Sequence, residues 1–443
     1  MTELTQLPED NASFTSTNTQ ESADSSLDPA HSRATLRAVV ALLYYQGYAF
    51  AILGVAAPFI ARSFVLDQSA IARMYAWISV NAFGALILSR MADRLGRRRV
   101  LLLSLVTTPV CSLGAALSTG VGWFIFFEIF AYAAIGATFG SSFVMLAEAL
   151  PMENRAKGQG YALFAISTGG GVCVILAPIL EHFGWSWRWL LAVPIAGIVF
   201  VPYLIRAIPE SERWRRAMAS GAADSSRFYH VFGAAYRRRA IPVIIATLFG
   251  EVAGAAVATW PFYHATTVVG LSSAMTSTVM LVGGTIGIVG LAIGAWASER
   301  FGRVRSIVVL GLASVAGTLG YYWGPPAHFQ WPVLWLIVVQ IWLSAAGRGT
   351  IVASNSAVTE LFPTVLRGTI MGWLTLCAAI SAVTAEVVIA ALAKSLGGLS
   401  NVVGWLSLLV IPAVLIWGFF IDETRGLSLE AAAGEESAEA AAG

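Results

Sequence analysis

Glu148-Ala149-Leu150-Pro151-Met152-Glu153-Asn154-Arg155 is answered half a chain later by Glu360-Leu361-Phe362-Pro363-Thr364-Val365-Leu366-Arg367. The shared frame is Glu-x-x-Pro-x-x-x-Arg, and each copy stands between long apolar runs. Two other strings repeat at nearly the same offset. Arg94-x-Gly96-Arg97 returns as Arg300-x-Gly302-Arg303, and Pro209-Glu210-Ser211 returns as Asp422-Glu423-Thr424. Offsets of 212, 206 and 213, agreeing within seven residues, mark a block duplicated in parallel. Duplicated halves about a membrane midplane are the usual construction of secondary transporters.

Composition sets the class. About a quarter of the residues of a soluble chain are charged. Here only 12% of 443 residues are charged, 57% are hydrophobic and the mean hydropathy is +0.73. That is the signature of an all-α, multi-spanning membrane protein. The net charge of +2 points to no nucleic-acid partner, because the basic residues sit in short loops. Cys111, Cys173 and Cys377 fall inside apolar runs with no disulfide or metal-ligand spacing, so they read as small packing residues.

A bilayer core of about 30 Å needs about 20 apolar residues per helix. Twelve runs qualify, at 36–61, 71–89, 100–118, 121–146, 159–180, 187–206, 241–267, 273–297, 306–323, 333–357, 369–393 and 402–421. The long polar interruption 207–240 separates six from six. The expected layout is therefore a disordered tail over 1–35, a six-helix bundle over 36–206, a central loop over 207–240, a second six-helix bundle over 241–421 and a tail over 422–443. Of the 27 lysines and arginines, only Arg62, Arg73, Arg188 and Lys394 fall on the loops opposite the termini, and Arg348 lies inside a run. The positive-inside rule then places both termini and the central loop in the cytoplasm. The expected location is a plasma membrane, that of a bacterial inner membrane, with the chain acting as a monomer in the lipid bilayer.

Ser89-Arg90-Met91-Ala92-Asp93-Arg94-Leu95-Gly96-Arg97-Arg98-Arg99 resembles the loop motif of the major facilitator superfamily, with Ser89 and Met91 as departures. Ala295 to Arg303 repeats it with Glu299 in place of the aspartate. The two Glu-x-x-Pro-x-x-x-Arg strings, Pro209–Trp214 and Asp422–Glu430 narrow the resemblance to the branch that contains sugar porters, aromatic-acid/proton symporters and organic-ion transporters. That resemblance implies the major facilitator fold and a cytoplasmic salt-bridge network that closes and opens with the transport cycle. Its members here would be Asp93, Arg94, Arg97, Glu148, Arg155, Glu210, Glu299, Arg300, Arg303, Glu360, Arg367 and Glu423. The alternative is that these charges only anchor loops.

Ionisable residues inside a span cost roughly 2.5–3.5 kcal/mol each on insertion scales and are functional candidates by default. This chain has Glu128, Glu251, Arg348 and Glu386 in such positions. Arg348 is the candidate anchor for a substrate carboxylate, since a guanidinium matches that group bidentately. Glu251 is the candidate proton carrier, and the bland alternative is a structural Glu251–Arg348 pair. Glu386 reads as a second proton site or an interhelical hydrogen bond, and Glu128, a further proton-coupling candidate, stands where the family has arginine, with Gln340 as its equivalent in the second half. In the first run, Gln46-Gly47-Tyr48-Ala49 keeps the frame of the aromatic-acid symporters but loses both of its acids. Gln46, Tyr45 and Tyr48 are then candidate substrate contacts, or packing. Trp260, beside Pro261, and Trp373 complete the candidate substrate set. The Gln-Gln pair of the sugar porters is missing from the seventh run, which counts against sugar.

These readings lead to a proton-coupled importer of a small organic anion that works by alternating access. No enzyme site, metal cluster or cofactor motif is present, and the proton gradient is the expected energy source. A sugar facilitator, an organic-cation exporter and a non-transporting sensor are the alternatives.

Overall fold

The computed structural model describes residues 29–207, 225–233, 236–324 and 331–425. Among them all regular structure is helical. Eleven helices are long and apolar enough to cross a membrane: α1 (Ser32–Ser63), α2 (Gln68–Ala92), α3 (Arg97–Ala116), α4 (Val121–Leu146), α5 (Lys157–His182), α7 (Arg237–Thr259), α8 (Ser273–Phe301), α9 (Arg303–Tyr322), α10 (Pro332–Leu361), α11 (Leu366–Leu392) and α12 (Leu399–Phe420). The shorter apolar helix Arg188–Val199 occupies the sixth place and is labelled α6.

Three expectations need correction. The expected sixth span is not one regular helix: an α-helix over Arg188–Ala192 passes into a 3-10 stretch, Val193–Phe200, and back to α-helix at Val201–Ala207. Pro194 and Pro202 withhold two amide donors from this run. Pro194 frees the Leu190 carbonyl four residues earlier, and the Tyr48 hydroxyl donates to it at 3.1 Å, while Tyr45 donates to the Pro194 carbonyl at 3.0 Å. The tail does not extend to residue 35, because helix begins at Pro29. The central loop is shorter than 207–240: helical structure resumes over Ser225–Phe232, and α7 starts at Arg237. Residues 1–28, and the central part of the loop that includes Glu210, lie outside the described residues.

The repeat is visible in the packing. In the first half α1 lies on α5, α4 on α2 and α3, and α6 on α3. The second half repeats each pair: α7 on α11, α10 on α8 and α9, and α12 on α9. Even defects repeat, since α2 is interrupted at Val80 and α8 at Ile288. The Arg-x-Gly-Arg turns match as well. Gly96 and Gly302 have φ of 101° and 104°, a region open to glycine and strained for any residue with a Cβ. Each glycine ends one helix and lets the next start one residue later. That backbone requirement explains why the glycine recurs in both motifs.

The halves meet through α2 with α11 and α5 with α8, two contacts related by the same repeat. The short helix Pro261–Tyr263, beyond α7, also packs on α1. These contacts gather at the end of the molecule opposite the loop motifs, here called the far end. Gln68 accepts there from the Leu399 amide at 2.8 Å, and Ser277 donates to the Val174 carbonyl at 2.7 Å.

Candidate functional site

Both α1 and α7 run from the motif end to the far end, and they touch where a Cβ on Gly54 would lie 3.6 Å from the Thr259 carbonyl. Elsewhere α1 and α7 share no extensive packing. Gly254 and Gly250 have nothing within 4 Å of where a Cβ would stand, and Glu251 between them is exposed. On α10, Gly347 likewise opens on free space, whereas Gly349 is packed on Leu310 and α8. Arg348 stands between the two, half-buried, at the border of the packed and open faces. Ile351 and Asn355 continue the open face towards the motif end and are exposed. By helix rise, Glu251 lies about 12 Å from the far end of α7 and Arg348 about 24 Å from that of α10. Both belong to the middle of the molecule.

No ion pair joins Glu251 to Arg348 among the described residues, and neither has a salt-bridge partner there. The bland alternative of a structural pair is therefore not what the structure contains. A half-buried guanidinium without a counter-charge is costly, and the open face beside it gives an anion a way in.

The aromatic candidates divide differently. Gln46 is fully buried, its amide donating to Thr108 at 3.3 Å and Thr138 at 3.4 Å, inside the first half. Tyr48 is buried and donates to the Leu190 carbonyl at 3.1 Å, and Tyr45 is turned onto α6. These three hold α1 to its own half and do not face the gap. Trp373 is half-buried at the motif end, where Phe232 packs against it with ring centroids 5.0 Å apart.

Trp260 seals the far end. It is fully buried, lies 4.7 Å from the Tyr75 ring of the opposite half, and donates its indole N–H to Glu386 at 3.2 Å. Tyr75 in turn donates to the Leu53 carbonyl. Glu386 thus makes the interhelical hydrogen bond that was one of its two readings. Glu128, also buried, has one carboxyl oxygen with no hydrogen-bond partner. Tyr75 lies within electrostatic reach of both carboxyls, one from each half. His264 shares a hydrogen bond of 2.7 Å with Ser400 in the same layer.

At the motif end the expected network is present in part, and the pairs described below lie within the second half. Arg303 grips Glu360 through Nε at 3.1 Å to both oxygens and Nη2 at 2.8 Å, and Thr424 donates to the same carboxylate. Glu423 accepts from the amides of Arg303 at 2.7 Å and Val304 at 3.2 Å, capping the start of α9. A carboxylate at a helix N-terminus meets both the free amides and the positive end of the helix dipole. Arg367 instead donates to the Phe362 carbonyl at 3.0 Å. Glu299, Arg300 and Arg94 are exposed and make no ion pair among the described residues. Arg97 has an interaction partner. The side chains of Asp93, Glu148 and Arg155, and all of Glu210, lie outside the described residues. Glu360→Gln, which keeps the shape and removes the charge, is expected to lower stability by about 2 kcal/mol, the scale of a charge-assisted hydrogen bond. Thermal unfolding of the purified protein checks this, and an unchanged midpoint contradicts it.

Phe50, Tyr132 and Asn355 were not among the residues singled out from sequence. Phe50 is 53% exposed although most of its neighbours on α1 are buried. The sequence held no signal for it, because every side of α1 is apolar.

The sequence model of the Major Facilitator Superfamily matches residues 39–386. The chain is 24% identical over 338 residues to the gentisate transporter of Corynebacterium glutamicum, covering 74% of each. It is 24% identical over 363 residues to a probable 4-methylmuconolactone transporter of Cupriavidus pinatubonensis, covering 80% of each, and 28% identical over 185 residues to a gallate transporter of Pseudomonas putida, covering 41% of each. Among solved structures it is similar to a D-xylose-proton symporter, with TM-score 0.70 at 18% identity over 90% of this chain and 100% of that one. At that identity the likeness speaks for the fold alone.

Proposed function

Because the chain belongs to the Major Facilitator Superfamily, we propose that it is a proton-coupled importer of a small aromatic carboxylate, working by alternating access between two six-helix bundles. In this reading α1–α6 form one bundle and α7–α12 the other, twelve crossings in all, with both termini and the central loop in the cytoplasm. The gap that opens towards the motif end then faces the cytoplasm, and the contacts of Trp260, Tyr75 and Gln68 close the outside. The residues before Pro29 and residues 422–443 are cytoplasmic extensions.

The observation that carries the reading is Arg348: a half-buried cation on α10, beside an open face, with no protein carboxylate to neutralise it among the described residues. A substrate carboxylate meets that need with two parallel hydrogen bonds. Gentisate and gallate, for which two relatives are named, are both hydroxylated benzoates and carry that group. Glu251 stands exposed on α7, in the same half as Arg348 and also near the middle of the molecule. It is the proton carrier in this account, with Glu386 and Glu128 holding the outer closure. Arg94, Arg97, Arg303, Glu360 and Glu423 belong to the cytoplasmic gate.

The test is uptake of labelled gentisate into proteoliposomes with and without an inward proton gradient. Accumulation above the equilibrium level is expected only with the gradient. Glu251→Gln is expected to abolish that accumulation and to spare gentisate exchange. Equal loss of both activities contradicts a coupling role for Glu251. Gentisate uptake indifferent to the gradient contradicts proton coupling.

A further inference from the structure

Phe50 sits one turn from Gly54 on the same face of α1, since residues four apart are neighbours on a helix surface. At Gly54 the first half touches α7. Phe50 therefore lies one turn towards the motif end from the contact of α1 with α7. Its ring is held from behind by α4. Tyr132 packs at a centroid distance of 5.9 Å and an interplanar angle of 43°, and Phe139 at 5.7 Å and 63°. Tyr132 also fixes the backbone there, donating its hydroxyl to the Phe50 carbonyl at 2.7 Å and accepting from the Leu53 amide at 3.2 Å. The result is an aromatic surface with a rigid back and an exposed front.

We propose that Phe50, backed by Tyr132 and Phe139, is the stacking platform for the aromatic ring of the substrate, while Arg348 in the other half holds its carboxylate. This rests on the proposed function and adds to it a source of selectivity for aromatic over saturated acids. Each end of the ligand belongs to a different bundle, so binding itself draws the halves together. Ring stacking supplies preference because an offset or edge-on aromatic pair gains more than its buried area accounts for. A saturated ring of similar size fills the same space without that gain. Tyr132 is a positioning residue here, acting through the Phe50 backbone.

The experiment measures how unlabelled gentisate and cyclohexanecarboxylate each inhibit uptake of labelled gentisate by the native chain in proteoliposomes. The ratio of the two inhibitory concentrations is the readout. The native chain is expected to prefer gentisate, and Phe50→Ala to reduce that preference about five- to tenfold. Phe50→Tyr keeps a ring and is expected to keep the ratio, which separates loss of the platform from misfolding. Tyr132→Phe, which keeps the ring but loses the hydrogen bonds to the Phe50 carbonyl and the Leu53 amide, is expected to lower the ratio partway. A preference unchanged in Phe50→Ala overturns the platform and leaves the carboxylate reading standing. Absence of benzoate uptake by the native chain overturns both.

Discussion

Arg348→Gln is expected to reduce gentisate uptake by about a hundredfold or more, while the protein remains folded and monodisperse. Truncating one member of a buried, hydrogen-bonded charge pair costs about 2–5 kcal/mol, and every 1.4 kcal/mol is tenfold. The same change removes an unpaired half-buried charge from the empty protein, so stability is expected to hold or rise slightly. Loss of transport without loss of fold is what distinguishes a binding cation from a structural one. Arg348→Lys is expected to recover only part of the activity, since an ammonium keeps the charge but not the planar fork. Initial rates in proteoliposomes, paired with thermal unfolding of the same preparations, give both quantities. Parallel decline of rate and stability contradicts the assignment.

Gly290→Leu is expected to prevent assembly of the second half altogether. A Cβ at Gly290 would lie 2.1 Å from the Ala345 carbonyl oxygen and 2.4 Å from its Cα, and one at Gly294 would meet the Gly349 backbone at 2.5 Å. At these points α8 and α10 touch backbone to backbone, the packing that small residues permit between membrane helices. Overpacking a core typically costs 1–3 kcal/mol when side chains can shift, and here the obstacle is main chain, so a loss above about 3 kcal/mol is expected. The observable is the yield of monodisperse protein in detergent. Gly122→Ala serves as the control, because nothing lies within 4 Å of a Cβ there. Normal yield from Gly290→Leu contradicts the close α8–α10 contact. That contact also fixes the rotation of α10, and with it the direction from which Arg348 meets the gap.

The halves, the loop motifs and the order of the helices were legible in the sequence because each rests on local chemistry. Apolar length marks a span, and a glycine with positive φ marks the Arg-x-Gly-Arg turn in both copies. Glu251 and Arg348 were legible for a related reason: a charge in an apolar run is costly wherever it points. The orientation of α1 was not legible. It is surrounded on nearly all sides by α4, α5 and the opposite half, so no polar stripe marks the face towards the gap. Gln46, Tyr45 and Tyr48 therefore looked like substrate contacts, yet the Gln46 amide nitrogen and both tyrosine hydroxyls bond to Thr108, Thr138, Pro194 and Leu190 of their own half. Phe50, with nothing polar to offer, is the exposed residue. The irregular α6 escaped for the opposite reason. Its composition is that of a span, and its departure from regular helix follows from two prolines, the first of which leaves the Leu190 carbonyl to the Tyr48 hydroxyl.

The gate shows how far a motif can be read. The repeated charges predicted a cytoplasmic network that closes and opens with the transport cycle. Arg303, Glu360, Thr424 and Glu423 bind one another within the second half, joining the start of α9 to the ends of α10 and α12. The strings specify that these groups belong together. Which state of the cycle they fasten depends on where the helix ends lie.

The central claim is that the gap holds a carboxylate at Arg348, and equilibrium binding tests it most directly. Gentisate and D-xylose are titrated against the purified full chain and against Arg348→Gln, with quenching of tryptophan fluorescence as the signal. The account predicts saturable binding of gentisate to the native chain, weakened about a hundredfold in Arg348→Gln, and no binding of xylose to either. Xylose binding without gentisate binding, or gentisate binding indifferent to Arg348→Gln, would contradict it.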